Sequence, residues 1–287
     1  MTGDYVELLA ARTQAVGSVL CLGLDPDPAS VPTKLGTGLA GLERFSSLVL
    51  EAALPHAAAV KPNLAFFEAF GSGGLATLER LMARVPTDVP IIADAKRGDI
   101  GSTAARHAAA IFDGLGAHAV TASPYLGAEA IEPLLGRTDR FVYVLCRTSN
   151  PGAGEIQGLM VEADPGTRRP AEALYERVAG LAVAWAERFG TVGLVVGATA
   201  PAELTSVRRI APSLPFLVPG VGAQGGDLQA TLADGPTRTG ALAGRPGGGL
   251  LVNISRGISG ASMGSEDPGE AMAEAAAEWS RRTSVLP

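Results

Sequence analysis

Short apolar runs rich in Val, Ile and Leu recur through the whole chain, and Ala-rich segments long enough for helices lie between them. The runs are Ser18–Leu24, Ala58–Val60, Pro90–Ala93, His118–Thr121, Phe141–Cys146, Val192–Val196, Phe216–Val218 and Leu250–Ile254. Runs of this length predict strands buried on both faces, as in a parallel sheet. The intervening segments Leu42–Leu54, Gly74–Arg84, Ser102–Leu115, Ala171–Phe189 and Pro201–Ile210 predict helices, and Pro268–Arg281 predicts a last one. Ser72 and Ser102 are candidate caps, and Pro201 suits a first helical turn. Alternation of buried strand and helix, repeated eight times, predicts the α/β class and a closed TIM (β/α)8 barrel, with residues 1–287 as one domain. An open doubly wound sheet is the alternative, but no GxGxxG follows the first run.

In a barrel the polar residues at the strand ends meet at one mouth. The first run ends at Asp25, the second at Lys61, the third at Asp94 and Lys96, and the eighth runs into Ser255 and Arg256. Ionisable groups at that face read as catalytic. Mixed charges in one small volume are costly unless they pair well or serve a function. Asp94 and Lys96 share a strand face because side chains alternate, and Asp99 lies beyond the strand. An ion pair plus a helix-entry carboxylate is the bland alternative. Thr148–Pro170 and Gly225–Gly249 read as long loops at the catalytic face, where such loops often act as lids. A flexible surface insertion is the alternative for the second. The glycines of Pro219–Gly226 let backbone amides approach phosphate oxygens, and Arg256 adds a bidentate cation.

Composition narrows the functional classes. Hydrophobic residues make up 47% of the chain and aromatics 5%, so aliphatic side chains must fill the core. A net charge of −6 argues against a nucleic-acid or anionic-membrane surface while leaving room for one local phosphate site. Cys21 and Cys146 lie in apolar runs and read as buried thiols. His56, His107 and His118 lack metal-ligand spacing, so no metal is expected; His118 reads as a core residue. Trp185 and Trp279 read as packing, Arg208–Arg209 and Arg281–Arg282 as solvated helix surface, and Tyr125 as a minor candidate for the site wall. The first ten residues carry no signal-peptide pattern and no stretch approaches a membrane span, so a cytoplasmic location is expected.

The pattern Asp94-x-Lys96-x-x-Asp99 resembles the signature of the orotidine 5′-monophosphate decarboxylase suprafamily, and the longer string Asp94–Thr103 resembles the decarboxylases within it. Leu22–Asp25, Thr148–Gly152, Pro219–Gly226 and Ser255–Gly257 resemble further motifs of that family, and Lys61–Glu68 resembles its longer bacterial, mycobacterial-like type 2 subgroup. The resemblance implies a carboxy-lyase that makes UMP from orotidine 5′-monophosphate in the last step of de novo pyrimidine synthesis, without a cofactor or metal. It implies that Lys61, Asp94, Lys96 and Asp99 form an alternating charged array, with Lys96 protonating a C6 carbanion. It implies that Asp25, Lys61 and Thr103 meet the ribose hydroxyls, Ser149 the pyrimidine edge, and Gln224 and Arg256 the phosphate. Asp99 is then contributed in trans within a homodimer. The nearest rivals are the Mg2+-dependent sugar-phosphate enzymes of the suprafamily, which share Asp-x-Lys-x-x-Asp. A non-catalytic nucleotide-binding barrel is the rival outside catalysis.

Overall fold

A computed structural model describes residues 5–163, 166 and 170–286. The strands fall where the apolar runs predict: β1 Leu20–Leu24, β2 Ala59–Pro62, β3 Ile92–Arg97, β4 Ala119–Ala122, β5 Phe141–Arg147, β6 Val192–Val196, β7 Phe216–Pro219 and β8 Leu251–Ile254. They form one eight-stranded sheet with parallel pairing throughout. Bridges Val60↔Ile91 and Asn63↔Asp94 join β2 to β3 and close the barrel.

Alternation along each strand sorts residues between two cores. Leu22, Val60, Ala93, Val120, Val142, Val144, Val218 and Val252 point outward and pack under the helices. Cys21, Ala59, Ile92, Ala119, Phe141, Tyr143, Leu217 and Leu251 point inward and fill the barrel. Helix α1, Tyr5–Val16, seals the base by adding Tyr5 and Leu9 to that inner core. Tyr5 stacks on Phe141 at 4.7 Å between ring centroids, and its hydroxyl meets that of Tyr143 at 3.0 Å. Each phenol thereby satisfies the other in a place without water. With the base plugged, only the C-terminal mouth is open.

The outer helices are α2 Gly38–Ala53, α3 Gly71–Met82, α4 Gly101–Ala108, α5 Leu174–Phe189, α6 Pro201–Ile210, α7 Leu228–Asp234 and α8 Pro268–Arg282, with shorter turns between. Three expectations need correction. Ser72 and Ser102 are not caps: Gly71 and Gly101, with φ of 61° and 53°, turn the chain into the helix one residue earlier. Arg208 is not solvated surface but fully buried, while Arg209 is exposed. Gly225–Gly249 is not one lid. It contains α7, and residues 235–249 run to the sealed base, where Arg245 pairs with Glu7 of α1 and a Cβ on Gly247 would stand 2.4 Å from Val19. The chain has to return there to begin β8. The other loop carries a helical turn, Gly154–Gln157, and a two-residue strand Met160–Val161 that pairs antiparallel with Glu172–Ala173. Residues 164, 165 and 167–169 of that loop lie outside the described residues.

Buried Arg208 ties the ends of α6 and α7 together. Its guanidinium donates to the carbonyls of Ala211 at 2.7 Å, Leu214 at 2.9 Å and Asp234 at 3.2 Å, and also to Gly235. Two helix C-termini thus direct partial negative charge at one cation. Arg208→Met is expected to cost about 3 kcal/mol, because the carbonyls lose their donor where water cannot replace it. Thermal unfolding checks this, and an unchanged Tm would refute it.

Candidate active site

Continuing the inward parity one step above the apolar core gives the next interior layer: Gly23, Lys61, Asp94, Thr121, Leu145, Pro219 and Asn253. Its character is split. Strands β2 to β4 and β8 supply polar groups and Asp25 adds one just past β1, while Leu145, Val195, Leu217 and Pro219 give an apolar wall from β5 to β7. Two adjoining hollows fill the mouth and share Lys61, Asp94, Ser149 and Pro219. One extends along the apolar wall and reaches Lys96. The other extends to Asp25, Gln224, Asn253, Ser255 and Arg256.

Asp94 lies between two ammonium groups. Its Oδ2 accepts from Lys61 Nζ at 2.6 Å and its Oδ1 from Lys96 Nζ at 2.6 Å. Burial alone would raise the Asp94 carboxyl, but the two lysines outweigh it and hold it well below the usual carboxylate range. Burial likewise opposes charge on Lys61, only 3% exposed, yet Asp94 and Asp25 push it above its ordinary value. Both charges therefore persist in a site largely removed from water. Lys96 stands at the edge, its side chain 52% exposed, where a ligand in the cavity would meet it.

The backbone at Lys96 is unusual: φ is 48°, and among the described residues no other non-glycine has positive φ. Left-handed backbone is disfavoured for such a residue. The ladder between β3 and β4 is irregular here. The Thr121 hydroxyl bridges the gap, accepting from the amides of Ala95 at 3.1 Å and Lys96 at 3.0 Å and donating to Asp94 Oδ1 at 2.9 Å.

The other end of the cavity is suited to an anion. Gly220, at φ 100°, lets the β7 loop press against the β5 loop; a Cβ there would stand 2.8 Å from Gln224 Oε1 and 3.0 Å from Ser149 Cβ. Arg256 makes no ion pair among the described residues. Asp25 Oδ1, Asn253 Oδ1 and Ser255 Oγ are buried without a protein partner. Buried polar atoms left unmatched are costly, and here they gather in one cavity that could receive a polar ligand.

Of the residues singled out from sequence, Asp25, Lys61, Asp94, Lys96, Ser149, Gln224 and Arg256 come together at the mouth. Asp99 and Thr103 do not line it. Asp99 Oδ1 accepts from the amide of Ile100 at 2.7 Å, and Thr103 is exposed on α4. Tyr125 points away, 82% exposed. Thr121 and Asn253 were missed, and Ser255 was marked only as part of the Ser255–Gly257 motif. A polar residue at inward parity, as Thr121 is in β4 and Asn253 in β8, was the feature that could have found the first two. Among the described residues no group of three or more His, Cys, Asp or Glu is placed to hold a metal ion. Nor is any helix among them long and apolar enough to cross a membrane.

Residues 18–275 match the profile of the orotidine 5′-phosphate decarboxylase / HUMPS family. An orotidine 5′-phosphate decarboxylase of Herpetosiphon aurantiacus is 41% identical over 261 residues, 91% of each chain. The structure of an OMP decarboxylase from Leishmania donovani superposes with a TM-score of 0.79 at 39% identity, covering 98% of this chain and 99% of that one. UMP synthase of the same organism gives 0.81 at 40% identity, covering 98% of this chain and 56% of that longer one.

The pairing of Asp94 carries a stability prediction with a definite sign. Its value in the fold lies below the ordinary 3.8, so its contribution is whole above that pH and is lost as pH falls beneath it. Asp94→Asn is expected to cost roughly 3 kcal/mol at neutral pH, since Lys61 loses its nearest counter-ion. The variant should also show a shallower fall of Tm between about pH 4 and pH 2. An acid limb as steep as wild type would refute the pairing.

Proposed function

The chain belongs to the orotidine 5′-phosphate decarboxylase family, and from that membership we propose how it converts orotidine 5′-monophosphate to UMP in pyrimidine biosynthesis. The observation that carries the mechanism is the Lys61–Asp94–Lys96 chain of contacts, already assembled on one wall of a cavity whose other wall is apolar. The pyrimidine lies between those walls, with Ser149 at its polar edge. Asp25 and Lys61 take the ribose hydroxyls. Gln224, Arg256 and the amides of the Pro219–Gly226 loop take the phosphate.

The C6–carboxylate bond breaks, carbon dioxide leaves, and the electron pair stays on C6. No imine can form to spread that charge, so the protein has to stabilise it by electrostatics. The Lys96 ammonium faces the developing carbanion, delivers its proton to C6, and is reprotonated from solvent. Because Asp94 and Lys61 are already oriented, little reorganisation is needed at the moment of reaction. Phosphate binding far from C6 supplies energy for ordering the mouth. The segment able to close is the short Gly220–Asp227 stretch beside Ser149, since the rest of the Gly-rich region is α7 and a segment at the base.

Asp99 and Thr103 act from a second copy of the chain, which makes a homodimer the catalytic unit. Their place outside their own cavity, with Thr103 exposed and Asp99 half-buried beyond β3, supports this reading. The whole chain serves as a single decarboxylase domain. A substrate phosphomonoester does not cross bilayers unaided, which favours a cytoplasmic location.

The test follows loss of the orotate ultraviolet absorbance with orotidine 5′-monophosphate in EDTA. Wild type should convert it, and Lys96→Ala should lose about 10³-fold or more in kcat. No conversion by wild type would instead favour metal-dependent sugar-phosphate chemistry. Gln224→Ala and Arg256→Ala should lose efficiency on the nucleotide but little on phosphate-free orotidine; equal losses on both would remove them from the phosphate site. Mixing inactive Lys96→Ala with inactive Asp99→Ala should restore activity through hybrid dimers, and no restoration after verified subunit exchange would place Asp99 in cis.

A further inference from the structure

Strand β3 leaves its ladder in the stretch that carries the chemistry. Ala93 pairs with Val120 and Arg97 with Ala122, so Asp94, Ala95 and Lys96 all stand opposite one residue of β4, Thr121. A bulge of this kind re-aims side chains and deprives local amides of carbonyl partners. The Thr121 hydroxyl replaces them, taking the amides of Ala95 and Lys96. It gives its own proton to Asp94 Oδ1, the same atom that Lys96 Nζ contacts. The hydroxyl has then used its donor and both acceptor positions. Thr121 is 2% exposed, so water has little access to take over those bonds.

We propose that Thr121 is the positioning residue for the proton donor: its hydroxyl holds the β3 bulge and the left-handed backbone of Lys96 so that Nζ and the Asp94 carboxylate face the reacting carbon together. This rests on the reading of Lys96 as that donor. Removing the hydroxyl lets Lys96 relax towards ordinary backbone and moves Nζ away from C6. The ribose and phosphate contacts lie on other strands and remain. The effect therefore falls on kcat and spares KM.

The experiment compares Thr121→Val, Thr121→Ala and Thr121→Ser with wild type and Lys96→Ala, measuring Tm, kcat, KM and UMP affinity. Val and Ala are expected to fold, to bind UMP within a few-fold of wild type, and to lose roughly 100-fold in kcat, as a small misplacement near the chemistry does. Ser keeps the hydroxyl and should recover most of the rate. Wild-type kcat in folded Val or Ala, a rise in KM with kcat intact, or a loss in Ser as deep as in Val would each overturn the proposal. If neither Val nor Ala folds, the hydroxyl serves the barrel as a whole and the proposal falls. Activity retained by Lys96→Ala would instead sink the donor reading itself, whatever the Thr121 variants do.

Discussion

Two opposite charges at the top of a barrel interior must satisfy each other, and the mouth is organised around that demand. Lys61 and Asp94 approach to 2.6 Å on neighbouring strands, with Lys61 nearly sealed from solvent. Neither alone would be tolerable there. Together they form a fixed electrostatic frame to which Lys96 is attached through the second oxygen of Asp94. The frame is assembled by the fold itself, so a negative charge developing nearby meets dipoles and cations that are already oriented.

The barrel provides the conditions for that frame. Tyr5, Phe141 and Tyr143 close the base with an aromatic cluster, so solvent approaches only from the mouth. Inward residues change from apolar to charged within two positions along β2 and β3: Ala59 gives way to Lys61, and Ile92 to Asp94. The apolar layer supports the charged one, and the opposite wall from β5 to β7 stays apolar. A planar ring with one charged edge suits such a divided cavity.

Polar residues inside otherwise apolar strands have separate duties here. Thr121 organises protein groups, spending its whole hydrogen-bonding capacity on β3. Asn253, Ser255 and Asp25 keep capacity unspent, directed into the cavity. Arg208, far from the mouth, shows that a buried cation can be purely structural when helix C-termini supply its acceptors. What separates these cases is whether bonding capacity is consumed within the protein or directed into the cavity.

The eight strands, their order of appearance and the gathering of Asp25, Lys61, Asp94, Lys96 and Arg256 at one end were legible in the sequence. These features depend on local apolar runs and on the two-residue parity of a strand, which need no knowledge of distant partners. The family resemblance also marked Ser149 and Gln224. The role of Thr121 was not legible, because it depends on how β3 and β4 slip past each other across a separation of 27 residues. Nor was the course of the Gly-rich segment after β7, since only the position of β8 dictates that the chain must return to the base. The burial of Arg208 was hidden for the same reason: its acceptors come from the ends of two helices, and packing alone brings them together. Local pattern determined which residues could share a face, and closure of the barrel decided which of them touch.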